Sequence, residues 1–313
     1  MKIGIGLPNA LPGVDGPALL DWARRAEDLG FSTLSTIDRL VYDSYDPLTV
    51  LAAAAAVTTR ITLATTVLLA PLHTNHVGFA KQAASLDRLA GGRLLLGLAP
   101  GPREDDFVAA GASFRRRGAD LDRMLDRVTS IWRDPMAEIG PKPATPGGPP
   151  LLFGGFSPPA FRRVANHGTG WVSGVFGLAP FRAGAARAID AWKAAGRDRA
   201  PRLLACASFA LGPTAQADAH SHLRHYYRFL GPRADQAVAE ALTTSSRLGD
   251  AVHEFEHAGC HELILFPCNP DPNQIDELCQ ALPGGKPVVA QSHYQIKFRD
   301  TPPSPDNDRS ATQ

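Results

Sequence analysis

Two hydrophobic patterns alternate along the chain. Short runs of aliphatic and β-branched residues recur, and each is followed by a longer segment whose apolar residues return at helical spacing. An uninterrupted apolar run is typical of a strand buried on both faces of a parallel sheet. The clearest example is the stretch 61–101, where a strand at 61–69, a helix ending at Gly91-Gly92 and a strand at 94–98 follow one another. This order predicts a right-handed crossover unit whose strand ends meet at one edge of the sheet.

The same alternation continues to residue 282 and predicts the fold. The apolar runs that predict strands are 3–7, 31–37, 61–69, 94–98, 151–154, 171–173, 203–211 and 262–266. Eight strands alternating with helices, without a second compositional regime, predict an α/β fold: a single-domain (β/α)8 TIM barrel with insertions, over residues 1–282.

Two segments do not follow this alternation. Residues 134–150 hold six prolines and three glycines, too many for regular structure, and predict an exposed excursion. A long irregular loop in a compact domain is usually functional or disordered, so we expect this excursion and the loops after strands two, three and four to select the substrate. Residues 283–313 are poor in aliphatic residues and predict a poorly ordered C-terminal tail.

Composition narrows the class of protein. A formal net charge of +1 gives no reason to expect nucleic acid or a membrane surface as a partner. The N-terminus has no secretion signal and no apolar run approaches a membrane span, so we expect a cytoplasmic protein. The small-residue helix at 51–57 suits close packing and favours a homodimer. The four cysteines have no CxxC spacing, which favours reduced thiols over a zinc site.

The first candidate for chemistry is the segment 154–159, Gly-Gly-Phe-Ser-Pro-Pro. Glycines at a strand end let the backbone approach a ligand, and Ser157 can cap the next helix. Free N–H groups and the helix dipole at this point would hold a phosphate. The alternative is an ordinary, well-capped helix start.

The remaining motifs are weaker. Thr65 and Thr66 end a strand and point towards the barrel mouth or simply fill the strand, and His73 is either a substrate-side base or a loop residue. The segment 253–257 matches the HExxH zinc signature, but its histidines fall on the wet side of an outer helix, and we assign no metal ligands. Gly4-Ile5-Gly6 lacks the third glycine of a dinucleotide fingerprint, which argues against a nicotinamide site.

The segment Ala80 to Gly101, AKQAASLDRLAGGRLLLGLAPG, resembles the bacterial luciferase-like monooxygenase superfamily, flavin- or deazaflavin-dependent oxidoreductases on a (β/α)8 barrel. Supporting segments are 30–40, 103–107 with Arg117-Gly118, and 151–171, so the resemblance covers roughly residues 1–282. It implies that Thr66-Val67 lies against the isoalloxazine ring, where the family often has a non-proline cis peptide. The residues that it implies for cofactor binding are Asp38, Thr66, Val67, Gly101, Arg117, Gly155, Phe156 and Ser157.

Within that set, the resemblance implies that the phosphate binds to Gly155, Phe156 and Ser157, with Arg117 as counter-charge. It implies that Asp38 and Gly101 lie at the border of the same mouth. The chain also departs from the family. Many members end strand two in Asp-His and use the histidine as an acid or base, whereas this chain has Asp38-Arg39. Deazaflavin members that oxidise alcohols use a glutamate after strand four, where this chain has Pro102. His73 is then the candidate catalytic residue.

The resemblance implies a monooxygenase that uses reduced FMN and dioxygen to oxygenate a small organic substrate, and a separate reductase that supplies the reduced flavin. The protein would provide a dry, shaped pocket while the flavin supplies the chemistry. The alternative is hydride transfer with the deazaflavin coenzyme F-420. Two remote alternatives are a non-catalytic flavin-binding barrel, because Arg39 replaces the histidine, and a zinc hydrolase that uses His253 and His257.

Overall fold

The fold is described for residues 1–285 of a computed structural model. Within this range the eight predicted strands form one closed barrel in sequence order, and every neighbouring pair is parallel. The prediction of a (β/α)8 barrel is confirmed. The strands are β1 (Lys2–Gly6), β2 (Thr33–Thr36), β3 (Thr62–Leu69), β4 (Leu94–Ala99), β5 (Leu151–Gly154), β6 (Gly170–Ser173), β7 (Arg202–Phe209) and β8 (Glu262–Pro267).

Helices surround the barrel, and several begin at a capping side chain. Asp15, Asp46 and Asn75 each accept a hydrogen bond from a backbone N–H in the first turn, which satisfies a donor that the helix itself leaves unpaired. The helices are α1 (Gly16–Asp28), α2 (Pro47–Val57), α3 (His76–Leu89), α4 (Glu104–Ala109), α5 (Arg117–Arg133), α6 (Pro158–His167), α7 (Leu178–Ala194), α8 (Ala215–Tyr226), α9 (Ala234–Ala239), α10 (Ser245–His257) and α11 (Gln274–Ala281). Within residues 1–285, every helix is too short or too polar to serve as a membrane span.

Side chains fill the inside of the barrel. One cluster of buried residues takes a member from each of the six strands β3 to β8, and β1 contributes glycines instead. A side chain at Gly6 would overlap the ring of Phe266, so this glycine makes room for an aromatic residue in the barrel. The paired glycines of β1 therefore have a packing role. Because the interior is packed, a ligand can enter only at an end of the barrel.

The excursion at 134–150 contains no helix or strand, as predicted. Its position, however, contradicts the expected role in substrate selection. Thr145 donates from its backbone N–H and its hydroxyl to Asp87 near the end of α3 (2.7 and 3.2 Å). The segment therefore runs beneath the start of β4, at the opposite end from the strand termini that build sites in this fold. Of the predicted tail at 283–313, residues 286–313 lie outside the described part of the chain.

A second insertion, not predicted as such, covers the C-terminal end of the barrel. It comprises residues 212–244 between β7 and α10, and contains α8, a 3-10 turn at Arg228–Arg233 and α9. We call it the α8–α9 insertion. Its side chains reach across the barrel to the loops after β2 and β4, where they contact Arg39 and Arg103. The carboxyl ends of the strands therefore open into a covered space.

Candidate active site

The centre of the covered space is formed by the end of β3. The peptide bond between Thr66 and Val67 is cis, as the resemblance implies, and the pairing of β3 with β4 shifts register between Thr65 and Leu68. Two neighbouring glycines make room for this backbone. A side chain at Gly97 would overlap the carbonyl oxygen of Thr65, and one at Gly154 would come within 3.1 Å of Val67.

Two threonine hydroxyls fix this part of β3. The hydroxyl of Thr65 donates to the carbonyl oxygen of Gly97 (2.8 Å) and accepts from its N–H (3.0 Å). The hydroxyl of Thr66 lies 2.8 Å from that of Ser35 on β2. Because these polar groups are buried and partnered, the strand end is held in one conformation.

Asp38 follows β2 and supports the same strand end. Its carboxylate accepts a hydrogen bond from the N–H of Leu69 (2.8 Å). Burial raises the pKa of Asp38 to about 6, an effect that the hydrogen bond from Leu69 partly offsets and the charges of Asp46 and Asp106 reinforce. Asp38 thus contacts the backbone of β3, and its carboxyl group titrates close to neutral pH.

Arg39 is buried and holds the α8–α9 insertion in place. Its Nη1 donates to the carbonyl oxygen of Tyr226 (2.9 Å) and its Nη2 to that of Val41 (3.0 Å). The guanidinium lies over the rings of Tyr42 and Tyr226, with Cζ 4.6 and 4.9 Å from the ring centroids. Asp106, which is fully buried, lies 3.9 Å from its Nε. A permanently charged group engaged in this way positions the insertion and does not exchange protons.

The junction between β5 and α6 carries the predicted phosphate-binding residues. Gly155 has φ +110, a conformation that favours glycine. Ser157 occupies the N-cap position of α6, but its side chain does not make the predicted capping hydrogen bond. Phe156 is 39% exposed and packs edge-on against Trp171, and its carbonyl oxygen accepts from Arg187 (2.7 Å). Pro158 and Pro159 begin α6 and carry no N–H, and the N–H groups of Ala160 and Phe161 donate to the carbonyl oxygen of Ser157 (2.9 and 3.4 Å). The first turn of α6 therefore lacks the expected free N–H groups, and this helix start presents the exposed hydroxyl of Ser157 and the positive end of the helix dipole.

Arg117 lies at the start of α5, next to this junction. Its Nε donates to the carbonyl oxygen of Gly101 (3.0 Å) and its Nη1 to that of Phe114 (2.7 Å). Arg163 of α6 donates to the carbonyl oxygen of Gly118 (2.9 Å), so the starts of α5 and α6 are linked. The structure thus brings Gly101 and Arg117 into contact and sets them beside the helix that Ser157 begins.

A cavity lies under the α8–α9 insertion, and we call it the mouth cavity. Its volume is about 60 Å³. Since one water needs ~10–15 Å³ on this measure, the cavity has room for several waters or one small ring. Thr66 is the one predicted site residue that lines it. The other lining residues are Leu7, Pro8, Ala10, Leu11, Ile37, Gly174, Val175, Cys206, Ser208, His222, Leu223, Tyr226, Tyr227, Phe266 and Pro267.

Helix α8 contributes His222, Leu223 and Tyr226 to this cavity, which was not predicted from the sequence. His222 and Tyr226 are one helical turn apart, and their rings are in contact with centroids 5.8 Å apart. That spacing was available in the sequence as a signal that both residues share one helix face. What the sequence lacked was any indication that this face turns towards the barrel mouth.

His73, the predicted catalytic residue, lies outside the lining of the mouth cavity. It follows a short 3-10 turn after β3, and its ring packs against that of Phe79 with centroids 5.0 Å apart. Burial lowers the pKa of His73, so the imidazole is neutral at neutral pH. Its role as a base stays a prediction.

The HExxH segment lies on α10, on the outer ring of helices. His253 and His257 are both exposed, and Nδ1 of His257 lies 2.7 Å from the carbonyl oxygen of His253. Glu254 accepts from Arg247 (3.0 Å). Within residues 1–285, no three His, Cys, Asp or Glu side chains come together as a metal-binding group.

Fold and site together define a TIM-barrel protein with a covered site at the carboxyl ends of its strands, the end at which enzymes of this fold carry their chemistry. Residues 1–261 match the model of the luciferase-like monooxygenase family. The chain belongs to this family, whose members are flavin-dependent oxidoreductases. This confirms the resemblance drawn from the sequence.

Individual relatives and solved structures are also similar to the chain. An uncharacterised protein of Mycobacterium tuberculosis is 32% identical over 176 residues, which cover 51% of this chain and 60% of the relative. An F420-dependent secondary alcohol dehydrogenase, solved with an F420-acetone adduct, has a TM-score of 0.71 at 17% identity and covers 87% of this chain and 94% of its own. The oxygenating constituent of 3,6-diketocamphane monooxygenase from Pseudomonas putida, solved with FMN, gives 0.67 at 17% identity, with 89% and 96% covered. The likeness to these two structures concerns the fold.

Proposed function

We propose that the chain is a monooxygenase that uses reduced FMN and dioxygen to oxygenate a small organic substrate. The observation that carries this proposal is the pairing of two features at one end of the barrel. The first is an uncharged cavity beside Thr66. The second is the helix start at Ser157, where the exposed hydroxyl and the positive end of the helix dipole suit the phosphate of FMN.

The residues proposed to hold FMN fit that group in shape and charge. Gly155 has a conformation that exposes backbone to a ligand, and Arg117 supplies a positive charge at the neighbouring helix start. Thr66 and Val67 form the surface proposed to lie against the ring. Asp38 supports that surface from below through the N–H of Leu69. Bound there, FMN would supply the redox chemistry, while the chain binds, orients and excludes water.

Two residues favour FMN over the deazaflavin. Arg39 stands where many members have a histidine, and its hydrogen bonds to Tyr226 and Val41 leave no imidazole at the end of β2. Pro102 stands where alcohol-oxidising members have a glutamate. Hydride transfer that depends on that histidine and that glutamate therefore has neither group in this chain. The F420-dependent dehydrogenase of similar fold makes the deazaflavin the competing cofactor to test.

The proposal is tested by following the oxidation of reduced FMN after rapid mixing with oxygenated buffer. A protein that binds reduced flavin in a covered pocket changes how the flavin meets dioxygen, so the absorbance trace should differ from that of free flavin. The change should saturate as the chain is added in excess. An unchanged trace at saturating protein would refute the monooxygenase proposal.

We also propose that a separate reductase supplies the reduced flavin. Gly4 and Gly6 belong to β1, and a side chain at Gly6 would overlap the ring of Phe266. Glycines that make room for barrel packing do not form a loop for binding a dinucleotide. With FMN and a nicotinamide cofactor, the chain alone should not oxidise that cofactor, and addition of a flavin reductase should start turnover. Oxidation of the nicotinamide by the chain alone would contradict this.

The chain is further proposed to form a homodimer through α2. Ala53 and Ala56 are exposed on the outer side of this helix, which carries no charged side chain along its length. Small side chains let a second helix approach closely. Light scattering after size exclusion should give twice the mass of one chain, and Ala53→Arg should give the single mass.

A further inference from the structure

The polar groups of the mouth cavity are all uncharged at neutral pH. No Asp, Glu, Lys or Arg is among the described residues that line it. Burial raises the pKa of the Cys206 thiol to about 12 and raises that of both tyrosine hydroxyls, so none of these groups ionises. Arg39, which packs on the ring of Tyr226 but does not line the cavity, donates to two carbonyl oxygens and forms an ion pair with Asp106.

An uncharged lining discriminates against charged ligands. A carboxylate that enters such a cavity gives up its water shell and finds no charged group in the lining, which makes its entry strongly unfavourable. A neutral molecule loses far less, because a hydroxyl or carbonyl needs only one or two hydrogen bonds to replace those with water. Charge alone therefore predicts which class of substrate is admitted.

His222 is the residue best placed to hold an oxygen atom of a ligand. Its ring lines the cavity and packs against Tyr226, and within residues 1–285 no hydrogen bond takes up either ring nitrogen. Burial, reinforced by the neighbouring His225, lowers the pKa of His222 to about 4. The imidazole is therefore neutral, with one nitrogen that donates and one that accepts.

Two of the other polar groups, the hydroxyls of Thr66 and Ser208, are less available to a ligand. The hydroxyl of Thr66 is already paired with that of Ser35, and the side chains of Ser208 and Cys268 hydrogen-bond to each other. The rest of the lining is mostly aliphatic or aromatic, from the ends of β1, β2 and β8 and from α8. A ligand that fits has a mainly apolar body and one oxygen group turned to His222.

We propose that the mouth cavity is the substrate site, that it admits a neutral and mainly apolar molecule with one carbonyl or hydroxyl group, and that His222 binds that oxygen. The inference deepens the proposed function and rests on it for the meaning of the site. His222 thus becomes the residue that determines specificity for neutral oxygen-bearing substrates. Arg39, at the position where many members of the family have their histidine, packs on the same Tyr226 ring as His222.

The test uses the flavin-free full chain and three probes that share one ring: cyclohexanone, cyclohexanol and cyclohexanecarboxylate. One six-membered ring matches the volume of the cavity, about that of four to six waters. Saturation-transfer NMR at neutral pH detects weak binding of each probe. The ketone and the alcohol should receive saturation, and the carboxylate should bind at least about tenfold more weakly, as its lost hydration implies. Equal or tighter binding of the carboxylate, or no binding of any probe, overturns the proposal.

The role of His222 is tested by His222→Phe, which keeps an aromatic ring and removes both hydrogen-bonding atoms. The dissociation constants of cyclohexanone and cyclohexanol should rise about threefold to tenfold, the value of one neutral hydrogen bond. His222→Asn, which retains a donor and an acceptor, should recover part of the loss. The matched control is His220→Phe, since His220 is exposed on the same helix, and it should bind like the wild type. Unchanged binding by His222→Phe contradicts the assignment.

Titration of the same proteins with FMN separates this inference from the proposed function. If FMN binds but the carboxylate probe is preferred, the substrate class is wrong and the flavin proposal stands. If the neutral probes bind and FMN does not, the flavin proposal fails while the cavity keeps the specificity inferred here.

Discussion

The guanidinium of Arg39 lies against the ring of Tyr226 and donates a hydrogen bond to its carbonyl oxygen (2.9 Å), although the two residues are 187 positions apart in sequence. One residue is at the end of β2 and the other at the end of α8, so this contact spans the barrel mouth. Tyr226 also lines the mouth cavity. Arg39 therefore links the end of β2 to the insertion that covers the mouth cavity.

The first prediction concerns this contact. Arg39→Lys keeps the positive charge beside Asp106 but loses the planar stacking and the pair of directed hydrogen bonds. The free energy of unfolding should fall by about 1–3 kcal/mol. Amide exchange within α8 should accelerate, while exchange in α5 stays as in the wild type.

The matched control is Arg224→Lys, because Arg224 makes an exposed ion pair with Asp235 on the same insertion (3.0 Å). Such pairs contribute ~0–1 kcal/mol, so exchange in α8 should be unaffected. If both variants behave alike, Arg39 does not hold the insertion.

The second prediction concerns Asp38. The folded protein raises the pKa of this carboxyl group from 3.8 to about 6 because the group is buried. The associated stability is fully present below the unfolded-state pKa and is lost as the pH rises through the folded-state value, between about 4 and 6. Asp38→Asn removes this loss of stability because the amide does not ionise. Its side-chain oxygen can still accept a hydrogen bond from the N–H of Leu69. At neutral pH its free energy of unfolding, measured by urea denaturation, should exceed that of the wild type by about 1–2 kcal/mol.

Asp43→Asn provides the control for a lost negative charge nearby, since Asp43 is exposed. It should leave the pH dependence between about 4 and 6 unchanged. A loss of stability in Asp38→Asn at neutral pH would mean that the ionised carboxylate is favoured, against the burial argument.

The third prediction concerns the phosphate of FMN. Gly155→Ala places a side chain on a backbone with φ +110 and within 3.3 Å of Ala160. The affinity for FMN should fall about tenfold or more, since one displaced charge-assisted hydrogen bond is worth ~1.5–3 kcal/mol. Riboflavin, which lacks the phosphate, should bind nearly as it does to the wild type.

Gly259→Ala separates this effect from general backbone strain. Gly259 also has positive φ (+81), but a side chain there meets no atom within 4 Å, and it ends a helix away from the mouth. Both variants should lose stability, and only Gly155→Ala should lose FMN affinity. If Gly155→Ala lost the same affinity for riboflavin as for FMN, the phosphate would not bind at this junction.

The fourth prediction tests a structural carboxylate outside the site. Glu27 accepts hydrogen bonds from the N–H groups of Thr59, Arg60 and Ile61 before β3. Burial raises its pKa, but these bonds outweigh that effect and lower the pKa from 4.5 to about 2. The stability that they supply is present above about 4.5 and is lost as the pH falls towards 2.

Glu27→Gln should therefore lower the free energy of unfolding at neutral pH by about 1 kcal/mol, a value discounted for partial exposure. It should also flatten the stability profile between pH 4.5 and 2. Asp28→Asn, on the exposed face of the same helix, should change neither. A Glu27→Gln profile parallel to that of the wild type would show that the three N–H groups do not depend on its charge.

The barrel was predictable because its signals are local. The uninterrupted apolar run in β3 and the glycine turn after α3 each specify an element within a few residues. The cover of the site was not predictable in this way. Residues 222–227 look like any partly polar helix, and only docking across the barrel on Arg39 brings His222 and Tyr226 to the mouth. The predicted role of the excursion at 134–150 in substrate selection was wrong for a similar reason. Its prolines indicate irregular structure, but they do not indicate the end of the barrel at which the segment lies.

The proposed binding of reduced FMN in the covered mouth can be measured by anaerobic titration of the chain with reduced FMN and with reduced coenzyme F-420, followed by flavin absorbance and fluorescence. We expect saturable binding of one FMN per chain, tighter than that of the deazaflavin and lost in Gly155→Ala. Binding of the deazaflavin alone, with no binding of FMN, would contradict it.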